Sequence, residues 1–293
     1  MKKVLIIGGS GFLGSHIADY FSKINYDVTI FDKKKTKWPH KKQKMITASL
    51  NNFKKLNSAI KSSDIVYHLA AISDIGECMI NPIRSAQVNI MSTISILNLC
   101  AKYKIKRFVF ASTIYINSEQ GGFYKITKLA CERYIEEYYK RFNLNYSILR
   151  FGTVYGPRAD KKNNLSKIIG QALRFKILRY SGKSIAERQY INVIDAAKAS
   201  VEILKNKYQN KNILITGKKS VKITEIMSII SKKLKINKKV IYEKITEHGH
   251  YSKNPYTYKI KPEIKLFPKK PTKISDGILS VINELINNSK TIF

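Results

Sequence analysis

A chain of 293 residues, of which 44% are hydrophobic, can bury a sizeable core and is expected to form one large domain or a large domain with a smaller lobe. No stretch approaches the roughly 18 consecutive apolar residues of a membrane span, and the apolar run after Met1-Lys2-Lys3 is too short for a signal peptide, so it is expected to be the first strand. The most unusual global property is a formal net charge of +34, from 54 Lys and Arg against 20 Asp and Glu.

The first predicted element is a buried strand followed by a glycine turn and the start of a helix, with the sequence VLIIGGSGFLGSHI at residues 4–17. We expect Gly8 to allow the tight turn, Gly11 to let the backbone approach a pyrophosphate, and Gly14 to let the helix lie close to the strand. A glycine turn of this kind also occurs without any ligand. The apolar run before it and the amphipathic segment after it favour a dinucleotide site.

The second predicted strand, residues 28–31, ends in Asp32, whose carboxylate is expected to bind the ribose hydroxyls of a dinucleotide. The loop that follows begins with Lys33, Lys34 and Lys35, which could accept a 2′-phosphate. Because Asp32 lies at the strand end and repels such a phosphate, NAD is favoured over NADP.

Strands and helices then alternate along the chain. Predicted strands lie at residues 45–47, 64–71, 107–111, 146–150 and 213–215, and predicted helices at 52–61, 82–103, 123–142 and 195–205. Strands joined by helical crossovers predict an α/β protein with a Rossmann-type, doubly wound parallel sheet. His68 lies within a strand and is expected to be packed rather than catalytic.

Tyr124 and Lys128 are four residues apart on a predicted helix and therefore share one face. An ammonium beside a phenol, together with a positively charged nicotinamide ring, favours phenolate and produces a general base for a sugar or alcohol hydroxyl. A chain with 18 Tyr contains such pairs by chance. The position of the Tyr124–Lys128 pair favours a catalytic role, because Ser112 and Thr113 end the preceding strand, where a hydroxyl could bind the same substrate oxygen.

The motifs occur in one order along nearly the whole chain: Gly8-x-x-Gly11-x-x-Gly14, Asp32, Asp64-x-Val66-x-His68-x-Ala70-Ala71, Ser112-Thr113, Tyr124-x-x-x-Lys128, RFGTVYGPR at 150–158 and RQYINVID at 188–195. In this set the chain resembles the extended short-chain dehydrogenase family, specifically its NAD-dependent nucleotide-sugar epimerases and dehydratases, of the UDP-glucose 4-epimerase kind. The resemblance implies that Tyr124 is the base, that Lys128 holds the nicotinamide ribose, and that Thr113 hydrogen-bonds the sugar C4 oxygen while hydride passes from C4 to NAD. Ser112 is the alternative hydroxyl, since a misalignment of one residue would exchange the two.

The resemblance also implies a set of contacts. Residues expected to bind the cofactor are Gly8, Gly11, Phe12, Leu13, Gly14, Asp32, Ser49, Leu50, Leu69, Ala70, Ala71, Asn89, Tyr124 and Lys128. Residues expected to bind the substrate are Thr113, Asn164, Arg188 and Tyr251. No metal site is expected.

Several positions depart from the family pattern. Family dehydratases carry Asp-Glu after the catalytic Thr, whereas Ile114-Tyr115 follow Thr113 here, so dehydration is disfavoured. Ser49 stands where an acid usually contacts adenine, which weakens that contact. Arg188 matches a position that can bind the substrate diphosphate, but no second arginine follows it, so the other cationic contact is expected to be Lys, His or backbone.

These observations predict a two-lobed cytoplasmic enzyme. Residues 1–160 and 188–216 are expected to form the NAD-binding domain, and residues 161–187 and 217–293 a smaller C-terminal substrate-binding lobe. The expected reaction is epimerisation of a nucleotide-diphosphate sugar through oxidation at C4. A C4 dehydrogenase or reductase without epimerisation and a nucleotide-sensing or RNA-binding protein on the same fold are the alternatives. Relatives pair through helices corresponding to 82–103 and 123–142, which implies a homodimer.

The positive charge has several explanations: attraction of a polyanionic substrate, weak association with an anionic membrane surface, nucleic-acid binding, or a general preference for lysine. Lysines are dispersed from Lys2 to Lys290 rather than grouped in one arm, and no nucleic-acid partner is expected. Cys78, Cys100 and Cys131 are few, odd in number and predicted in helices, which favours buried thiols in a reducing cytoplasm over disulfides or a metal site.

Overall fold

The computed structural model describes residues 1–160, 162–237, 240–243, 253, 256 and 264–290. The strands are β1 (Lys3–Ile7), β2 (Asp27–Asp32), β3 (Gln43–Thr47), β4 (Ile65–His68), β5 (Arg107–Thr113), β6 (Tyr146–Phe151), β7 (Thr153–Tyr155), β8 (Arg179–Ser181), β9 (Glu187–Arg188), β10 (Tyr190–Asn192), β11 (Lys211–Ile215), β12 (Val221–Lys222), β13 (Ile241–Glu243) and β14 (Ile264–Leu266). The α-helices are α1 (Phe12–Lys23), α2 (Phe53–Lys61), α3 (Ile75–Ile80), α4 (Pro82–Ala86), α5 (Ser92–Lys102), α6 (Gly122–Phe142), α7 (Asn164–Phe175), α8 (Val193–Glu202), α9 (Ile223–Leu234) and α10 (Ile274–Lys290).

The main sheet has eight parallel strands in the order β14-β11-β6-β5-β4-β1-β2-β3. Its strands are apolar on both faces because helices cover both. Val4 and Ile6 pack with α1 and α8 on one face, and Leu5 and Ile7 pack with α2, α5 and α6 on the other. The predicted α/β class and doubly wound parallel sheet are confirmed.

The chain crosses from β3 at one edge to β4 beside β1, so the order of the strands reverses between β1 and β4. At such a point the loops leaving the carboxyl ends of the two strands diverge and open a crevice in which ligands bind. The glycine turn follows β1 and the small residues Ala70 and Ala71 follow β4, so both border this crevice.

A second core lies outside the main sheet. It joins Tyr155 to apolar residues of α7, α9 and α10, among them Ile169, Ile226 and Ile278. The division into an NAD-binding domain and a substrate lobe stays a prediction, with one correction: the segment 217–293 does not belong to the smaller lobe throughout. Within it β14 pairs in parallel with β11 and covers that edge of the main sheet, because an open strand edge is stabilised by pairing.

Arg158 connects several elements at the border of the two cores. Its guanidinium is 2.8 Å from Asp19 on α1 and lies over the ring of Trp38 at 5.0 Å from the centroid. Its backbone N–H donates to the carboxylate of Glu284 on α10. This residue therefore ties α10 to α1 and to the loop after β2.

The helix predicted over 82–103 is interrupted. Between α4 and α5, residues Gln87–Met91 have π-helical hydrogen bonding, which sequence periodicity did not indicate. Among the described residues, no helix is long and apolar enough to cross a membrane.

Candidate functional site

The glycine turn after β1 is compact because three backbone segments meet there. Gly8 has φ +87, and a Cβ at this residue would lie 2.5 Å from the backbone N of Ala70. A Cβ at Gly14 would overlap the carbonyl oxygen of Gly8, whereas one at Gly11 would meet that oxygen at 3.3 Å. Gly8 and Gly14 are therefore required by the turn itself, and the resulting cradle at the start of α1 fits a pyrophosphate.

Asp32 borders the same cleft at the end of β2. Its carboxylate accepts the N–H of Ser10 at 3.1 Å and the N–H of Lys34 at 3.0 Å, so the loop after the strand is fixed around a negative charge. Ser49 and Leu50, at the end of β3, line this end of the cleft as well. The arrangement fits a ribose diol and disfavours a 2′-phosphate, which agrees with the prediction of NAD over NADP.

The wall beside the glycine turn is formed by Leu69, Ala70 and Ala71. The N–H groups of Leu69 and Ala70 both donate to the carbonyl of Ile7, at 2.8 and 3.1 Å. These bonds hold the wall against the end of β1.

Asn89 is not among the residues that line the cleft. It is 2% exposed, and its carboxamide accepts the N–H of Ile72 and donates to the carbonyl of Ile72 and to Thr127 Oγ1. The carboxamide therefore supports the wall at Ile72 and α6, and its contact with the cofactor stays a prediction.

The cleft has a volume of about 1390 Å³ and runs from Asp32 to Tyr124 and Arg188. Thr113 and Tyr124 both line the wall of the cleft. Burial raises the pKa of Tyr124 to about 12, and the neighbouring hydroxyl of Thr113 opposes the shift.

Lys128 lies one turn after Tyr124 on α6. Its Nζ donates to the carbonyl of Ala111 at 2.7 Å and is 6.0 Å from the centroid of the Tyr124 ring. Burial lowers the pKa of Lys128 to about 8. The side chain reaches the cleft as an ammonium whose charge is available to a phenolate.

Ser112 does not serve as the hydroxyl beside Tyr124. Along β5 it continues the alternation of Phe108 and Phe110, which pack toward α2, α5 and α6. Its Oγ therefore points at α6 and donates to Glu132 at 2.7 Å. This contact favours Thr113 over Ser112 as the hydroxyl beside Tyr124, and the catalytic role of Thr113 stays a prediction.

His68 is buried, as predicted. Thr93 Oγ1 donates to the carbonyl of Asn89 at 2.6 Å, so it accepts from Nε2–H of His68 at 3.0 Å. Burial lowers the pKa of His68 to about 3, and the charge of Lys128 acts in the same direction. The imidazole is therefore a neutral packing group.

The other end of the cleft is lined by Asn164, at the start of α7, and by Arg188, on β9. Arg188 also donates to the carbonyl of Glu187 at 2.9 Å. Tyr251 lies outside the described residues.

Three further cations, Lys162, Lys167 and Lys183, line the cleft near Arg188. Sequence reasoning missed them, because lysines are spread along the whole chain and nothing local distinguishes these three. Lys162 is paired across the cleft with Glu77 of α3 at 2.6 Å. Lys167 and Lys183 are two of the cleft lysines that fit the second cationic contact expected beside Arg188.

Comparison with known proteins gives consistent matches. Residues 4–216 match the sequence profile described as "NAD dependent epimerase/dehydratase family". The chain is 30% identical to a Methanocaldococcus jannaschii protein whose name describes it as a candidate UDP-glucose 4-epimerase, over 98% of this chain and 100% of that protein.

Solved structures are similar over the whole length. The UDP-N-acetylglucosamine 4-epimerase of Methanobrevibacter ruminantium M1, in complex with UDP-N-acetylmuramic acid, is 25% identical with a TM-score of 0.86 and covers 98% of this chain and 99% of its own. The UDP-glucuronic acid 4-epimerase of Bacillus cereus, in complex with UDP-glucuronic acid and NAD, is 25% identical with a TM-score of 0.84 and covers 99% of this chain and 100% of its own.

Proposed function

The chain belongs to the NAD-dependent epimerase/dehydratase family, and from this premise we propose that it is a nucleotide-sugar 4-epimerase that acts through a 4-keto sugar. The enzyme is NAD-dependent, as its family is. The glycine cradle and Asp32 supply the chemistry that this cofactor needs, since one accommodates a pyrophosphate and the other a ribose diol.

One observation carries the proposal: Thr113, Tyr124 and Lys128 line the wall of a cleft that begins at the glycine turn, with the Lys128 ammonium 6.0 Å from the centroid of the Tyr124 ring. Bound NAD supplies a hydride acceptor for C4. The Tyr124 phenolate takes the proton of the C4 hydroxyl, and Thr113 hydrogen-bonds the same oxygen. Lys128 binds the nicotinamide ribose, and its charge favours the phenolate.

Epimerisation is favoured over water loss by the residues that follow Thr113. Ile114 is buried and Tyr115 lines the cleft, so no carboxyl group directly after Thr113 is present to assist an elimination. The 4-keto sugar is expected to be reduced again rather than dehydrated.

The substrate diphosphate is proposed to bind Arg188, with Lys167 or Lys183 as the second cation. All three line the cleft. The forked guanidinium can bind two phosphate oxygens at once, and a nearby ammonium adds charge without fixed geometry.

We also propose a homodimer. Helices α3 and α4 pack against α6, and this surface carries large apolar side chains that are exposed in the single chain. Ile83 is 74% exposed and Ile126 is 54% exposed. Exposed large apolar side chains on helices that pack together favour an interaction site.

A cytoplasmic location fits the three buried thiols. Weak association with an anionic membrane surface is a further proposal that rests on the net charge of +34. Sedimentation with vesicles containing anionic lipid, compared with neutral vesicles and with RNA at matched salt, tests it, because binding to many phosphates weakens steeply as salt rises.

The experiment that tests the activity is a screen of UDP-, GDP-, CDP- and dTDP-sugars, read by mass and by proton NMR. Epimerisation leaves the mass unchanged and alters the C4 coupling pattern. Loss of two hydrogens would instead identify a C4 dehydrogenase, and loss of water a dehydratase. No turnover of any nucleotide-sugar by protein loaded with NAD would contradict the proposal.

A further inference from the structure

A fully buried charged cluster lies behind the wall of the cleft. Arg150 and Glu132 form an ion pair in which both side chains are 0% exposed. Arg150 donates from Nη2 to Oε2 at 2.7 Å and from Nε to Oε1 at 3.1 Å. Ser112 Oγ donates to the same Oε1 at 2.7 Å. We call these three residues the buried cluster.

The buried cluster joins the elements that carry the proposed catalytic residues. Glu132 is one helical turn after Lys128 on α6. Ser112 precedes Thr113 on β5 and is in register with Arg150 on β6. Lys128 itself is bonded to Ala111 of β5, so the distance between α6 and β5 sets the position of its ammonium directly.

Stability alone does not account for such a pair. Removing two charges from water costs several kcal/mol per ion, and apolar side chains of similar volume often stabilise a buried site equally well. A bidentate ion pair differs from apolar contacts because it specifies one relative position of the helix and the strands.

We propose, as an extension that rests on the proposed function, that Glu132 is a positioning residue which, through Arg150 and Ser112, fixes α6 against the carboxyl ends of β5 and β6. This register keeps Tyr124 within hydrogen-bond reach of Thr113 and keeps Lys128 directed into the cleft.

Glu132 also provides negative charge near Lys128. The titratable groups that face Lys128 are Tyr124, Cys131 and Glu132 on its own helix, Cys78 on α3 and His68 on β4. Burial raises the pKa of both thiols and of Tyr124 and lowers that of His68 to about 3, so these four are neutral near pH 7. The negative charge of Glu132 raises the pKa of Lys128 and so partly offsets the lowering that burial causes.

The decisive variant is the double substitution Glu132→Met with Arg150→Met, which removes both charges and retains apolar volume. We expect a thermal midpoint close to that of the wild type, a nearly unchanged KM, and a kcat lowered about tenfold to a hundredfold, the scale for misplacing a catalytic group. We also expect a change in the pH dependence of NAD binding. Without the charge of Glu132, Lys128 loses its proton at a lower pH, so the Kd of NAD is expected to begin rising at a lower pH than in the wild type.

The matched control is Glu137→Met with Arg141→Met, which removes an exposed ion pair at 2.8 Å on the same helix and is expected to leave kcat and the NAD titration unchanged. A folded double variant of the buried cluster with wild-type kcat and a wild-type NAD profile would overturn the inference.

Ser112→Ala provides a second test that does not depend on folding of the double variant. It is expected to lower kcat severalfold in a protein that stays folded, and unchanged kcat would count against the inference. The NAD titration of the double variant requires no sugar. Its result can therefore be interpreted even if the substrate screen finds no turnover.

Discussion

Tyr124 is the residue on which the proposed chemistry depends. We expect Tyr124→Phe to retain NAD binding and to lower turnover by about two orders of magnitude or more, the scale for loss of a general base. Steady-state kinetics with an NAD titration measures both quantities. The control is Tyr138→Phe, on the same helix but outside the cleft, which is expected to keep wild-type turnover. Near-normal turnover of a folded Tyr124→Phe protein would remove this phenol from the mechanism.

Arg188 contacts a part of the substrate that does not react. Arg188→Ala is expected to raise KM about tenfold to a hundredfold, the loss of one charged hydrogen-bonding contact, with a smaller change in kcat because remote binding is uniform in the ground and transition states. Arg174→Ala, an exposed arginine of α7 outside the cleft, is the control. An unchanged KM in the Arg188 variant would contradict the diphosphate assignment.

His68 makes the fold sensitive to acid. Its pKa is lowered from 6.5 to about 3 by burial, so below pH 6.5 the unfolded chain takes up a proton that the folded protein does not. Stability from this group is complete above 6.5 and is lost as the pH falls toward 3. At pH 5 the loss is about 2 kcal/mol, at 1.36 kcal/mol per pH unit.

Denaturant unfolding at pH 7 and pH 5 measures this effect. In His68→Gln, which keeps a donor for Thr93 but cannot take up a proton in this range, the free energy of unfolding is expected to fall less between the two pH values than in the wild type. His40→Gln, at an exposed position, should leave the wild-type slope. Equal slopes in all three proteins would show that His68 does not govern acid sensitivity.

At the scale of elements, α1 packs against the glycine turn without room for a side chain at Gly14. Gly14→Ala would place a Cβ against the carbonyl of Gly8, so α1 must move away from β1. We expect NAD affinity to fall at least about tenfold, since the cradle and the helix N-terminus separate. Gly170→Ala on α7 is the matched control, because no atom lies within 4 Å of its added Cβ and helix propensity favours Ala by about 1 kcal/mol. Equal NAD affinities for the two variants would contradict this account.

The elements and the site could be predicted in part from the sequence. The strands of the main sheet through residue 215 and the helices that join them follow from apolar periodicity, and the positions of Gly8, Asp32, Tyr124 and Lys128 follow from spacing, because these features are local. The elements α3, α7 and β7 to β10 were not predicted. The role of Asn89 could not be read locally, since its carboxamide is used by Ile72 and Thr127, 17 and 38 residues away. The choice between Ser112 and Thr113 was open for the same reason. Alternation along β5 places the two side chains on opposite faces of the strand, and only the packing of α6 shows that Ser112 faces Glu132.

At the scale of the whole molecule, the exposed apolar surface on α4 and α6 predicts a dimer. Light scattering at micromolar concentration is expected to give twice the chain mass, and Ile83→Glu with Ile126→Glu is expected to give a folded monomer, because two charges would be buried at the interface. Ile185→Glu, an exposed apolar position outside these helices, should remain dimeric. A wild-type protein that is monomeric throughout would refute the homodimer.

The position of Arg158 over the ring of Trp38 makes tryptophan fluorescence a reporter of the protein's structure. Trp38 is the single tryptophan of the chain, and the guanidinium above its indole is held by Asp19 on α1 while the backbone of the same arginine is held by Glu284 on α10. Undocking of α10 would remove the cation from the ring and change the emission of one fluorophore. Relative movement of the two cores during ligand binding can therefore be followed in the unlabelled protein, with Glu284→Gln as the variant that uncouples the signal.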